Sequence, residues 1–328
     1  MKKELAKTIK HKSVFISIYG KNSFAEIIYN DIVLLVKDIL TAKIKINLSI
    51  QILSVYWVIL REPTAITTRE LFYMTKAVFG TSQRLRNTLT RITHRLQTDL
   101  PSLKIVPSLK GLVCGEVILN QAPSPSPSPN QAPTPTLTLS GVSLIPQIAK
   151  DTEPLTKASV ILVVEKEAIF SRAVHDLPRI ERAIGARILL VTGKGYPCTN
   201  TLRFLMLFKT LPILGLFDCD PHGLHIFAIY KHGSRSRPLL CVPGIERLGV
   251  SFMDVDSTST LPSTQTQTQT QTPKEQALLK GLAPMLQGST LEEAQRMLIH
   301  QKKLSIEDVL ISTSLSSYLI SKMIGSVL

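Results

Sequence analysis

Three short apolar runs set the pattern of this chain. Val160–Val164, the ILLV run that starts at Ile188, and Ile213–Phe217 are built mainly from β-branched residues and leucine, and each gives way abruptly to polar or charged residues. Continuous apolar character over about five residues is how a strand buried on both faces of a parallel sheet reads, and such strands deliver functional loops at their C-terminal ends. Between the first two, Ala168–Ala183 predicts a crossover helix interrupted at Leu177-Pro178. Pro221 suits the first turn of a helix running to about His232, with Gly233 ending it. Lys274–Leu282, Leu291–Lys302 and Ile306–Met323 read as C-terminal helices that pack on the sheet.

The first 120 residues carry a helical pattern instead. Ala25–Leu40 and Ile50–Leu60 are candidate helices, the second ending before Pro63, because proline disfavours helix at the residue before it. Thr67 and Glu70 have capping-box spacing for a third helix. Leu71, Phe72, Thr75, Val78 and Phe79 then form its apolar stripe, which leaves Arg69, Tyr73 and Lys76 on the opposite face, with Gly80 placed to end it. In Ser82–Leu96 the buried stripe is Leu85, Leu89, Ile92 and Leu96, while Arg84, Arg91 and Arg95 line up on a separate face with Arg86 and His94 nearby. Two helices joined by a tight turn, followed by Leu103–Val106 and Leu112–Leu119 as a two-stranded wing, predict a winged helix-turn-helix.

Two low-complexity tracts punctuate this order: the Pro/Ser/Thr-rich residues 121–139 and the stretch 255–273 that contains TQTQTQTQT. Neither can bury a core. The first reads as a linker between an N-terminal domain over 1–120 and a second over 151–328, and the other as an insertion in the second domain. Charge sharpens the division. The chain is +14 overall, and residues 1–118 hold 18 basic against 8 acidic side chains, so +10 of the excess lies in the first third. A basic domain beside an acidic cluster suggests a polyanion held by one and processed by the other. The four cysteines are far apart with no paired spacing, which points to a reducing compartment and no zinc site. The longest apolar stretch, about Leu48–Leu60, is too short to span a bilayer, and the lysine-rich start is not a signal peptide.

Candidate chemistry sits where the strands end. Glu165 closes the first strand, and Asp218 and Asp220, two residues apart in an extended segment, can face one spot beyond the third. Three carboxylates at the C-terminal edge of one sheet suit Mg²⁺; strand-end acids that only cap helices are an equally good reading of the same pattern. Tyr73 is not needed for the core and has Arg69 and Lys76 near it, which fits either a surface tyrosine or a nucleophile beside a phosphate-binding cation. The arginine row is either a solvated face or a phosphate contact. The G-x-x-x-x-G-K-[ST] phosphate loop is absent, so Gly193-Lys194-Gly195 does not mark an ATPase.

VVEKEAIF, TGKGYP and LFDCDPHGLHIFAIYKHGS, in that order, resemble the Toprim domain of the topoisomerase VI A-subunit family, which includes a eukaryotic transesterase that makes meiotic double-strand breaks. TTRELFY is similar to that family's nucleophile segment and SLKGLVCG to its wing. The resemblance implies an α/β fold, an N-terminal winged helix joined to a Rossmann-like Toprim sheet with flanking helices. It implies Tyr73 as nucleophile with Arg69 beside it, and Glu165, Asp218 and Asp220 as ligands of Mg²⁺. It further implies DNA contacts from Lys110, Lys194 and Tyr196, while the winged-helix pattern makes Arg84, Arg91 and Arg95 phosphate contacts and puts Lys76 beside Tyr73 where it could hold a phosphate. The expected setting is a homodimer on double-stranded DNA in the nucleus, with a topoisomerase VI B-like partner and no membrane. Cys219 between the aspartates and Cys198 after G-Y-P depart from the family's pattern, and the tryptophan expected before the C-terminal helices is missing. A winged-helix DNA-binding scaffold without catalysis and a hydrolytic Toprim nuclease are the competing expectations.

Overall fold

Two structural units divide the chain, Met1–Ser108 and Leu109–Leu328. The computed structural model describes residues 23–41, 44–121, 136–148, 151–234, 237–256 and 270–327. Most of both low-complexity tracts therefore lies outside the described residues.

The first unit is largely helical: α1 (Ser23–Leu40), α2 (Ile46–Arg61), β1 (Ile66–Thr67), α3 (Thr68–Met74), α4 (Lys76–Phe79), α5 (Ser82–Leu96) and β2 (Ile105–Val106). The predicted periodicity is realised in one core, where Ile52, Val55 and Ile59 of α2 meet Leu71, Phe79, Leu85, Leu89 and Ile92. At Thr67 both halves of the capping box are made, with its hydroxyl accepting from the Glu70 N–H at 3.1 Å and its own N–H donating to the Glu70 carboxylate at 2.7 Å. The helix expected to run on to Gly80 is broken at Thr75, which leaves helical geometry (φ −112°, ψ 14°). Its hydroxyl turns back onto the Leu71 carbonyl at 2.6 Å, a local bond that competes with helix propagation.

The wing is not formed as expected. β2 pairs in parallel with β1, and Leu112–Cys114 does not pair with it. Instead β3 (Leu112–Cys114) joins the main sheet of the second unit, antiparallel to the strand over 188–192. The next elements are β4 (Val117–Gln121), β5 (Thr136–Leu139), β6 (Val142–Leu144) and β7 (Thr152–Thr156). β4 pairs antiparallel with β5 across residues 122–135, so the Pro/Ser/Thr tract joins two paired strands of one unit rather than separating two domains.

The α/β core follows as β8 (Val160–Val164), α6 (Glu167–Ile184), β9 (Ile188–Thr192), α7 (Thr199–Met206), β10 (Ile213–Leu216), α8 (Pro221–His232) and β11 (Ile245–Gly249). Strand order is β11-β10-β8-β9-β3-β6, with β8 to β11 mutually parallel where they adjoin. All five residues of β8 are buried. Val160, Leu162 and Val164 enter the core on one face, and Ile161 and Val163 the core on the other, which is why the sequence reads as one unbroken apolar run. Register aligns the strand ends: Val164 lies opposite both Leu216 and Thr192. Glu165, the Gly193 turn and the Asp218 loop therefore leave the same edge of the sheet.

α6 runs through Pro178 without interruption, contrary to the expected break. The C-terminal segment holds α9 (Met253–Asp256), α10 (Pro273–Leu282), α11 (Gly288–His300), α12 (Ile306–Val309) and α13 (Leu315–Val327), so the helix expected over Ile306–Met323 is two. α13 packs its Leu315, Leu319 and Met323 into the sheet core. Among the described residues no helix is long and apolar enough to cross a membrane.

Candidate active site

Two places carry the predicted chemistry, one in each unit. In the first, the α3 capping box fixes a short helix whose outer face presents Arg69 and Tyr73. Tyr73 is 59% exposed. The Arg69 guanidinium carbon lies 5.9 Å from the centre of its ring, a cation–π contact across one helical turn. Both line a cleft of about 410 Å³ together with Phe72, Ser82, Arg86 and Ser108. Arg86, held by the Gln83 side-chain carbonyl at 2.9 Å, is thus the second arginine at the tyrosine. The sequence pattern favoured the row of Arg84, Arg91 and Arg95 instead, because a helical wheel does not show which face the preceding turn brings α3 to.

That row is divided. Arg84 and Arg91 are exposed. Arg95 is not presented with them: its Nε donates to Asp31 at 2.5 Å and its Nη1 to Asp38 at 3.1 Å. Asp31 also accepts from the Tyr56 hydroxyl at 2.6 Å. Arg95 is therefore tied to the α1 acids, unlike the exposed Arg84 and Arg91 with which it was expected to contact DNA. Lys76 is exposed beyond the Thr75 break and is not among the residues of the tyrosine cleft.

In the second unit the parallel register collects the acids. The Glu165 carboxylate accepts from the Asp218 N–H at 3.0 Å. Asp218 is 5% exposed; its Oδ1 accepts from the Ile306 N–H at 3.0 Å and its Oδ2 lies 2.8 Å from the Lys166 ammonium. Asp220 is the N-cap of α8, accepting from the Gly223 N–H at 2.6 Å. Helix capping and clustering thus coexist at this edge. Gly223 has to be glycine here, since a Cβ would lie 2.3 Å from the Asp218 carbonyl oxygen. Burial, and then the Asp218 charge, raise the Glu165 pKa from 4.5 to about 7. Asp218 is raised as well, chiefly by burial, with Lys166 opposing.

Lys194 and Tyr196 lie on the loop after β9. Lys194 adopts positive φ (53°) and pairs with Glu167 at 2.8 Å. The Gly195 N–H donates to the Glu165 carbonyl at 2.8 Å, so the glycine turn fixes the backbone of a candidate ligand. The Tyr196 hydroxyl meets Nδ1 of both His222 (3.2 Å) and His225 (3.0 Å). Lys110 belongs here rather than to a wing, donating to the Tyr196 carbonyl at 2.8 Å. Burial lowers its pKa. The sequence reading missed Arg247 and Glu293, an ion pair buried under the aspartate loop, with the guanidinium directed at the Asp218 carbonyl at 3.4 Å. It also missed the role of Lys166 and its contact with Glu307. No local motif signals these pairs, which join residues up to 141 positions apart.

The residues fit a hard divalent cation by donor chemistry, three carboxylates at one edge. They fit it electrostatically too, since Glu165 is held protonated to unusually high pH by burial and by its acidic neighbours. Among the described residues no three His, Cys, Asp or Glu side chains converge into a preformed cage.

Comparison with known proteins gives the family. A family model for the Toprim domain shared by Spo11 and the topoisomerase 6 A-subunit matches residues 160–325. A probable meiosis-specific protein SPO11 homolog of Encephalitozoon cuniculi is 35% identical over 57% of this chain and 60% of its own length. The human meiotic recombination protein SPO11 is 30% identical over 63% of this chain and 52% of its own length. The A3 subunit of DNA topoisomerase 6 from Oryza sativa subsp. indica is 30% identical over 67% of this chain and 49% of its own length. The chain thus spans about half to three-fifths of the length of these relatives.

Proposed function

This chain belongs to the family of Spo11 and the topoisomerase 6 A-subunit, and from that premise we propose that it is a transesterase that breaks double-stranded DNA to initiate meiotic recombination. The Tyr73 oxygen attacks a backbone phosphorus and becomes joined to the 5′ phosphate, and the 3′ oxygen leaves as a hydroxyl. One phosphate ester replaces another, so cleavage consumes no high-energy cofactor. Arg69 and Arg86 in the tyrosine cleft bind the non-bridging phosphate oxygens and offset the charge that builds in the transition state. Glu165, Asp218 and Asp220 would hold Mg²⁺, which when bound supplies Lewis-acid stabilisation of the phosphate and the leaving oxygen. Arg84, Arg91 and Lys76, exposed on the basic first unit, hold the duplex, and Lys110, Lys194 and Tyr196 contact it beside the acids.

One tyrosine cuts one strand, so a double-strand break requires two copies, most simply a twofold homodimer. A topoisomerase VI B-like partner and a nuclear, chromosomal setting complete the reading. The observation that carries it is an exposed tyrosine stacked with an arginine in a basic cleft, in a chain whose second unit gathers three acids at the end of a parallel sheet.

The test is covalent linkage. Protein incubated with DNA, Mg²⁺ and its B-like partner is denatured, and the DNA ends are analysed. Wild type should leave protein on 5′ ends, and Tyr73→Phe should leave none while binding DNA as before. Free 5′ phosphates would identify a hydrolytic nuclease, and uncut DNA under conditions where the partner is bound would identify a scaffold.

A further inference from the structure

The acidic edge of the sheet contains a cation of its own. Lys166 follows Glu165 and precedes α6, and its ammonium touches two carboxylates from distant parts of the chain, Asp218 Oδ2 at 2.8 Å and Glu307. The two bonds differ in setting. The Asp218 side chain is 7% exposed, whereas that of Glu307, on α12, is 50% exposed. Paired with both acids, the ammonium is a positive charge held at this edge. The Asp218 carboxylate also accepts, on Oδ1, from the Ile306 N–H. That bond is to backbone and cannot leave without moving α12. The bond on Oδ2 is to a flexible four-carbon side chain that has a second acidic seat within reach.

We propose that Lys166 gates metal binding: its ammonium and the divalent cation compete for Asp218 Oδ2, and Glu307, already bonded to Lys166, retains it when the cation binds. The inference rests on the metal role proposed above for Glu165, Asp218 and Asp220. Two cations cannot share one buried carboxylate oxygen without strong mutual repulsion in a medium less polarisable than water. Lys166 therefore stabilises the metal-free protein and lowers its metal affinity. Glu307 reverses part of that penalty by holding the displaced ammonium, which couples the metal loop to the start of α12 by reciprocal linkage.

The signs for the two residues are opposite, and this separates a gate from a general support of the loop. Mg²⁺ and Mn²⁺ are titrated by calorimetry into the 328-residue chain, with melting temperature as a check on folding. Lys166→Met should bind metal about tenfold more tightly than wild type, and Glu307→Gln roughly threefold more weakly. The double variant should match Lys166→Met, because Glu307 acts through the lysine. Lys166→Met that binds no more tightly, or a Glu307→Gln effect that persists undiminished in the double variant, would overturn the gate while leaving the metal site intact. If Lys166→Met fails to fold, Glu307→Gln with the lysine in place decides, an affinity equal to or above wild type overturning the gate. Absence of metal binding in every folded variant would instead remove the metal reading, and the gate with it.

Discussion

Replacing Glu165 with glutamine should make the metal-free protein more stable, by an amount that depends on pH. The Glu165 pKa is about 7 in the folded chain against an ordinary 4.5, with burial the main cause and the neighbouring Asp218 charge second. A raised carboxylate pKa means that the native state binds the proton more tightly than the unfolded state does. Stability is then unaffected below the unfolded value, falls as pH rises through the window from 4.5 to about 7, and is flat above it. Integrated between pH 5 and pH 8, those two values correspond to a loss of roughly 2–3 kcal/mol. Glutamine keeps a carbonyl oxygen able to accept the Asp218 N–H but carries no charge, so the variant should not lose this increment. In EDTA the difference in melting temperature between Glu165→Gln and wild type should be small at pH 5 and grow to roughly 5–10 °C at pH 8. Added Mg²⁺ should raise the wild-type melting temperature at pH 8 and leave the variant nearly unchanged. Scanning calorimetry of both proteins across this range is the assay. A variant that melts below wild type at pH 8, or an offset that is the same at both pH values, would refute the view that this acid is buried against its charge and would make it a structural support.

Arg84→Ala with Arg91→Ala should reduce the slope of log affinity for DNA against log salt by about 0.9 for each phosphate no longer neutralised. Arg95→Ala should leave that slope unchanged and cost roughly 1–3 kcal/mol of stability, because Asp31 loses its charged partner; denaturant titration beside the salt series reads both. Mixing Tyr73→Phe chains with Asp218→Asn chains should give heterodimers that nick one strand and stay attached to it, provided that one protomer's tyrosine works with the other's acids. Isolated heterodimers that nick nothing would show that each protomer builds its own site.

The sequence alone was enough for the sheet centre. β8, β9 and β10 are almost wholly apolar because both faces are covered, and short β-branched runs bounded by turn residues read as buried strands. The Thr67 capping box was legible because all its bonds are local. The carboxylates at the strand ends were legible because parallel register places equivalent ends together. What failed depended on contacts that pattern does not encode. Leu112–Cys114 has the same short apolar character whether it closes a wing or joins β9, and only the available partner edge decides. Thr75 breaks α3 from α4 through a bond that the apolar stripe does not reveal, and Pro178 is accommodated inside α6 despite its missing N–H. Residue spacing likewise could not assign the charges. Arg84 and Arg95 share a helix face by the wheel, yet Asp31 and Asp38 from α1 claim one of them. Lys166 reads as part of a motif, and the folded chain brings Asp218 and Glu307 to it from 52 and 141 residues away. Local rules therefore picked out the candidate residues at strand ends and on helix faces, because burial and turn chemistry act over a few positions. The tertiary structure decided which charge answers which, because electrostatic partners are chosen by distance in space.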